Sequence, residues 1–128
     1  MIELTDGELD LLHAVLDHAR SGATEELEFL LDAGVPVNLT SPRGDSLLML
    51  AAYHQQAATV AVLLGRGADH ARVNDRGQTA LGAATFRRNE QIVRSLLDAG
   101  ADPDLGRPSA RELADHFGLS DVAALLGG

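Results

Sequence analysis

Cysteine is absent from the 128 residues, which excludes disulfides, thiolate nucleophiles and cysteine-based metal sites. Lysine is absent too: all ten basic side chains are arginines, a compositional bias, since either residue serves on a solvated face. There are only four aromatic residues (Phe29, Tyr53, Phe86 and Phe117), so a core must be built from Leu, Ala and Val. Such small apolar side chains let helices approach closely. No stretch nears the roughly 18 apolar residues that a membrane-spanning helix needs. Residues 1–8 are acidic and lack the basic start and apolar run of a secretory signal. The formal net charge of −9 opposes non-specific binding to nucleic acid or anionic membrane, both of which demand a positive face. A soluble, cytoplasmic, single-domain protein is expected, long enough for a sizeable core.

What is present is a period. Leu63-Leu64-Gly65-Arg66-Gly67-Ala68-Asp69 returns 33 residues later as Leu96-Leu97-Asp98-Ala99-Gly100-Ala101-Asp102. A blurred copy lies 33 residues earlier, from Leu30 to Pro36. The same offset pairs Gly44 with Gly77, Ser46 with Thr79, Leu48 with Leu81, Ala51 with Ala84 and Val60 with Val93. A fixed period of that size marks stacked repeats rather than a fold around one catalytic cleft. Within a unit, Ser46 and Thr79 are natural N-caps. Leu47, Leu48, Leu50, Ala51 and Ala52 then supply an apolar helix. A second helix follows over about 57–64, with Val60, Leu63 and Leu64 on one face. Gly67 and Gly100 stand where a helix ends in left-handed backbone. Asn74-Asp75-Arg76-Gly77 is a strong signal for a hairpin tip.

The unit resembles the ankyrin repeat, whose pattern runs D-x-x-G-x-T-P-L-H-x-A-A, then V-V-x-x-L-L and G-A-D-x-N. The likeness covers nearly the whole chain, from about Leu9 to Leu126. It departs after the Thr, where the family's Pro and His are Leu47 and Met49, then Ala80 and Gly82. It also departs between the helices, where Gly22 and Gly118 become Gln55 and Arg88 in the middle units. The resemblance implies an all-α repeat solenoid, a stack of helix-turn-helix units joined by β-hairpin-like turns. Residues 1–128 form one domain, with repeats at about 9–39, 40–73, 74–105 and 106–128. The outer two are expected to act as caps, because Asp17, His18 and Arg111 fall at core positions where nothing can stack over them. Thr5 with Glu8, and Ser109 with Glu112, have capping-box spacing. A monomer is expected.

Ankyrin partners usually contact the hairpin tips and the concave face of the first helices. Carried over position by position, the contact sites in the second unit are Pro42, Arg43 and Asp45, with Tyr53 and His54. In the third they are Asp75, Arg76 and Gln78, with Phe86 and Arg87. Arg20 and Ser21, and His116 and Phe117, are the outer counterparts. Arg20, Tyr53, Phe86 and His116 occupy one column and should form a ladder; aromatics and Arg are frequent binding hot spots. Phe117, beside a cap, is expected to pack into the core. Charge is uneven: residues 1–32 carry nine acids and one Arg, residues 33–97 four acids and seven Arg, and residues 98–128 six acids and two Arg. This basic island between acidic ends could steer a partner bearing an acidic patch between basic flanks.

Signs of catalysis are lacking. Gly44 and Gly77 are isolated turn glycines rather than a phosphate loop. His13 and Asp17 share a helix face, but His18 does not join them, so no metal is expected. Nothing brings a Ser, His and acid together. The expectation is a non-enzymatic, cofactor-free adaptor that binds another protein, of unknown identity, through the tips and inner helices. The alternative is an acidic inhibitor or immunity-type protein that occludes an enzyme, using the acidic ends around residues 25–32.

Overall fold

The computed structural model describes residues 4–127. Residues 1–3 of the acidic start, and Gly128, lie outside the described residues. The described chain forms four helical hairpins: α1 (Asp6–Ser21) with α2 (Thr24–Asp32), α3 (Leu47–Tyr53) with α4 (Ala57–Gly65), α5 (Ala80–Phe86) with α6 (Glu90–Asp98), and α7 (Ala110–His116) with α8 (Ser120–Leu125). α1, α3, α5 and α7 stack side by side as an inner layer, and α2, α4, α6 and α8 as an outer one. The expected all-α repeat stack is therefore present. The β character of the connectors is confined to isolated bridges, Thr40 with Ser46 and Gly106 with Ser109.

Local chemistry fixes each hairpin. Ser46 and Thr79 accept the amides of Met49 and Gly82 at 3.1 and 3.0 Å, as N-caps should. Both capping boxes close, Thr5 with Glu8 and Ser109 with Glu112. Gly67 and Gly100 follow α4 and α6 with φ of 80° and 99°. Their amides, and those of Ala68 and Ala101, return to the last-turn carbonyls of Leu64, Leu97, Leu63 and Leu96. This double closure satisfies carbonyls that would otherwise be orphaned.

The two residues that break the glycine pattern keep the glycine backbone. Gln55 and Arg88 have φ of 61° and 58°, matching Gly22 at 76° and Gly118 at 62°. The tight α3–α4 and α5–α6 turns thus hold ordinary side chains in a left-handed conformation that disfavours a Cβ.

Packing explains the absence of large side chains. In α3, residues 47–52 are all buried, because α1, α5 and α4 surround the helix. Met49 is buried as well, so this segment has no solvated polar face of the kind an amphipathic surface helix carries. Ala19, Ala51, Ala52, Ala84 and Ala114 are closed off between neighbouring helices, where anything larger would push the layers apart. At the ends, charge sits outward as the cap reading requires. Exposed Asp17 pairs with Arg20 at 2.7 Å, and Arg111 reaches Asp104 at 2.8 Å.

Candidate recognition groove

The inner helices α3, α5 and α7 begin at the hairpin tips and run for seven residues, about 10 Å, so their last residues stand at the far side of a trough. This trough is a groove of about 500 Å³. Asp45, Asn74, Arg76, Gln78 and Pro108 line its tip side. Met49, Leu50, Thr79, Gly82, Ala83 and Leu113 form the floor, and Tyr53, Phe86 and Phe117 line the far wall. Gly82 deepens the floor where the preceding unit carries Met49.

Asn74 holds the tip side together. It is buried, and its Oδ1 accepts the amides of Arg76 and Gln78 at 3.0 and 2.9 Å. Its Nδ2 donates to Asp45 Oδ1 at 2.7 Å and to Gln78 Oε1 at 2.8 Å. Both amide donors and both acceptor positions are used, so a buried polar side chain is fully satisfied. Neighbouring tips are tied through backbone: the Asp75 amide donates to the Arg43 carbonyl at 3.0 Å, and the Arg107 amide to the Gly77 carbonyl at 2.8 Å.

The far wall is a chain of rings. Tyr53 stacks on Phe86 with centroids 6.3 Å apart, and Phe86 meets Phe117 edge-on at 6.0 Å. His54 sits edge-on to Tyr53 at 5.2 Å, and His116 to Phe117 at 4.8 Å. The Arg87 guanidinium lies 5.0 Å from the Tyr53 ring centre, within cation–π range. Tyr53, Phe86 and Phe117 remain 42%, 47% and 49% exposed. Partial burial and the Arg20 and Arg87 charges hold the His54 imidazole below its ordinary pKa of 6.5.

The residues expected from the sequence distribute unevenly over this surface. Asp45, Tyr53, Arg76, Gln78 and Phe86 line the groove, and Arg43 and Asp75 join Asp45, Arg76 and Gln78 in a smaller recess of about 340 Å³ between the tips. Arg87 and His54 brace Tyr53 from outside. Pro42 is exposed at its tip but lines neither hollow. Arg20 is drawn to Asp17 and leaves the ladder to the rings. His116 lies instead in a separate recess beside Glu112 and Asp115.

Phe117, expected in the core, is the ring that completes the wall, because its side chain turns toward Phe86 over Leu113 rather than between the helices. Asn74 and the small floor residues Gly82 and Ala83 belong to the groove in addition to the residues expected from the sequence. The Asn74-Asp75-Arg76-Gly77 turn carried the signal for the first, since Asn side chains bond backbone amides two residues on.

The described residues form a solenoid of helical hairpins with an aromatic-walled trough along its inner layer. The family model for ankyrin repeats matches residues 11–106 in three copies, and the chain belongs to the ankyrin repeat family. Its members are in general protein–protein interaction modules. A Pseudomonas aeruginosa protein bearing an ankyrin repeat name is 51% identical over 51 residues, 40% of this chain and 30% of its own length. The human SH3 and multiple ankyrin repeat domains protein 2 is 32% identical over 122 residues, 91% of this chain but 6% of that protein. An ankyrin repeat domain-containing protein of Stachybotrys chartarum is 34% identical over 119 residues, again 91% of this chain and 6% of its own length. The chain thus spans under a third of the length of each of these relatives. Among the described residues, no helix is long and apolar enough to cross a membrane, and no group of three potential metal-ligating side chains occurs.

Proposed function

We propose that the chain is a non-enzymatic adaptor that binds one protein partner in the groove between the hairpin tips and α3, α5 and α7. The observation that carries this reading is the wall of Tyr53, Phe86 and Phe117, about half exposed above a floor whose Met49, Leu50, Thr79 and Gly82 are buried. Large apolar rings left open to water are retained where something covers them, and aromatic anchors in a shaped trough are the usual source of interface energy. The mechanism is pre-organisation. Caps, Schellman closures and the Asn74 hub fix the backbone beneath these side chains, so little conformational entropy is lost on binding. A monomer suits this reading, since Asp17 and Arg111 place charge at the two ends of the stack.

The inhibitor reading has less to support it. Glu28 and Asp32, in the acidic end it requires, are engaged by Arg66 at 3.8 and 2.8 Å. It retains Phe29, 72% exposed on α2 beside Glu25 and Glu26. Affinity capture from native cell extract separates the two. The wild-type chain is compared with a Tyr53→Ala, Arg76→Ala, Phe86→Ala variant and with a Glu25→Ala, Glu26→Ala, Phe29→Ala variant. The adaptor reading expects the partner to be lost only from the first; loss only from the second would transfer the site to α2.

A further inference from the structure

Arginine pairing divides the molecule. Arg66 and Arg94, on the outer layer, and Arg20 and Arg111, at the two ends, each have a carboxylate within 4.0 Å. Among the described residues, Arg43, Arg72, Arg76, Arg87, Arg88 and Arg107 have none, and three of these, Arg43, Arg76 and Arg87, stand at the tips and wall around α3 and α5. Tip carboxylates do not cancel them fully: Asp45 is engaged by the Asn74 amide, and Asp75 is a single exposed charge. The α7 end of the same trough has the opposite sign. Glu112 and Asp115 flank Phe117 there without an ion-pair partner among the described residues; Glu112 also accepts the Ser109 amide in its helix cap, and exposed Arg107 is the one unpaired cation of that unit's tip among the described residues. The groove therefore has polarity along its length, from positive over α3–α5 to negative beside α7, with the apolar slot over Gly82 between them.

Resting on the groove reading, we infer that the occupant is a linear protein segment with one or two large apolar side chains flanked on one side by carboxylates. The carboxylates lie over Arg76 and Arg87, and the anchor enters between Phe86 and Phe117. The flank beside α7 is neutral or basic, because Glu112 and Asp115 repel acid there. This orientation also discriminates against nucleic acid, which carries negative charge at every step and would run its phosphates into the α7 end.

Panning a random peptide display library against the whole chain tests the inference, with enriched clones compared on wild type, on Arg76→Glu/Arg87→Glu and on Tyr53→Ala/Phe86→Ala. The expected result is apolar-anchored peptides with Asp or Glu enriched on one side of the anchor only. Those clones should weaken about tenfold or more on the charge-reversed variant, which should itself enrich for basic flanks, in line with the size of close charge couplings at interfaces. Groove-dependent clones with neutral, basic or symmetric flanks would overturn the charge assignment while leaving the groove intact. Clones that bind the Tyr53→Ala/Phe86→Ala variant equally would remove the groove itself. No enrichment, or tighter binding of an oligothymidylate probe than of any clone, would overturn the assignment of a linear peptide segment.

Discussion

Replacing Gln55 and Arg88 with glycine should stabilise the chain without altering any buried contact. Both residues hold φ near 60°, where the structure elsewhere uses Gly22 and Gly118. A left-handed backbone costs an L-residue about 1–2 kcal/mol. Glycine gives back about 0.5–1 kcal/mol through the freedom of the unfolded chain. The net gain is about 0.5–1 kcal/mol per site. The turn hydrogen bonds survive, because the amides that donate to Ala52 and Thr85 carbonyls at 3.2 and 2.9 Å belong to the backbone. The two sites lie one repeat apart and share no hydrogen-bond partner, so their effects should nearly add. For a domain of this size the double variant should raise Tm by about 4–8 °C in a calorimetric scan. Gly118→Ala serves as the converse: a Cβ there meets nothing within 4 Å, so its loss of about 1 kcal/mol isolates backbone conformation. An unchanged or lowered Tm in the double variant would refute the assignment of strain to these turns.

Gly77→Ala should destabilise by about 2–3 kcal/mol in urea unfolding, because φ is 78° and the new Cβ would sit 2.8 Å from the Arg107 carbonyl oxygen. Thr85→Val should stabilise by about 1 kcal/mol, read from the urea midpoint, since the buried Thr85 hydroxyl has no partner among the described residues. His54 should titrate below pH 6.5 by NMR, and Arg87→Ala should move its midpoint upward. Its folded-state pKa is depressed, so its contribution to stability is present above pH 6.5 and is lost as pH falls through the folded-state value. An Arg87→Ala titration identical to wild type would contradict the charge coupling.

The fold was legible because repetition multiplies weak signals. One Ser before an apolar run is a poor cap signal, but Ser46 and Thr79 at the same place in successive units fix both. The left-handed turns at Gln55 and Arg88 are not legible in the same way: the period marks both only as departures from Gly22 and Gly118, and the backbone shows that the turn survives the departure. The site was legible only in part. Alignment of units says which backbone positions correspond, and it puts Tyr53 and Phe86, whose rings stack at 6.3 Å, in one column. It does not say which ring fills the space above Leu113. That is decided by how α7 seats against α5, and there the connector is three residues shorter than in the other units. Phe117 rather than His116 therefore closes the wall. The role of Asn74 is hidden in the sequence for a related reason: it depends on Asp45, 29 residues away in the neighbouring tip.

The most direct test of the groove as the binding surface is the dissociation constant of the captured partner for wild type and for the Tyr53→Ala, Arg76→Ala, Phe86→Ala variant, at matched Tm. Removing two ring anchors and one rim charge should weaken binding about 100-fold or more, as loss of central hot spots does. Affinities equal within about threefold, well under the roughly 1.4 kcal/mol of a tenfold change, would contradict it.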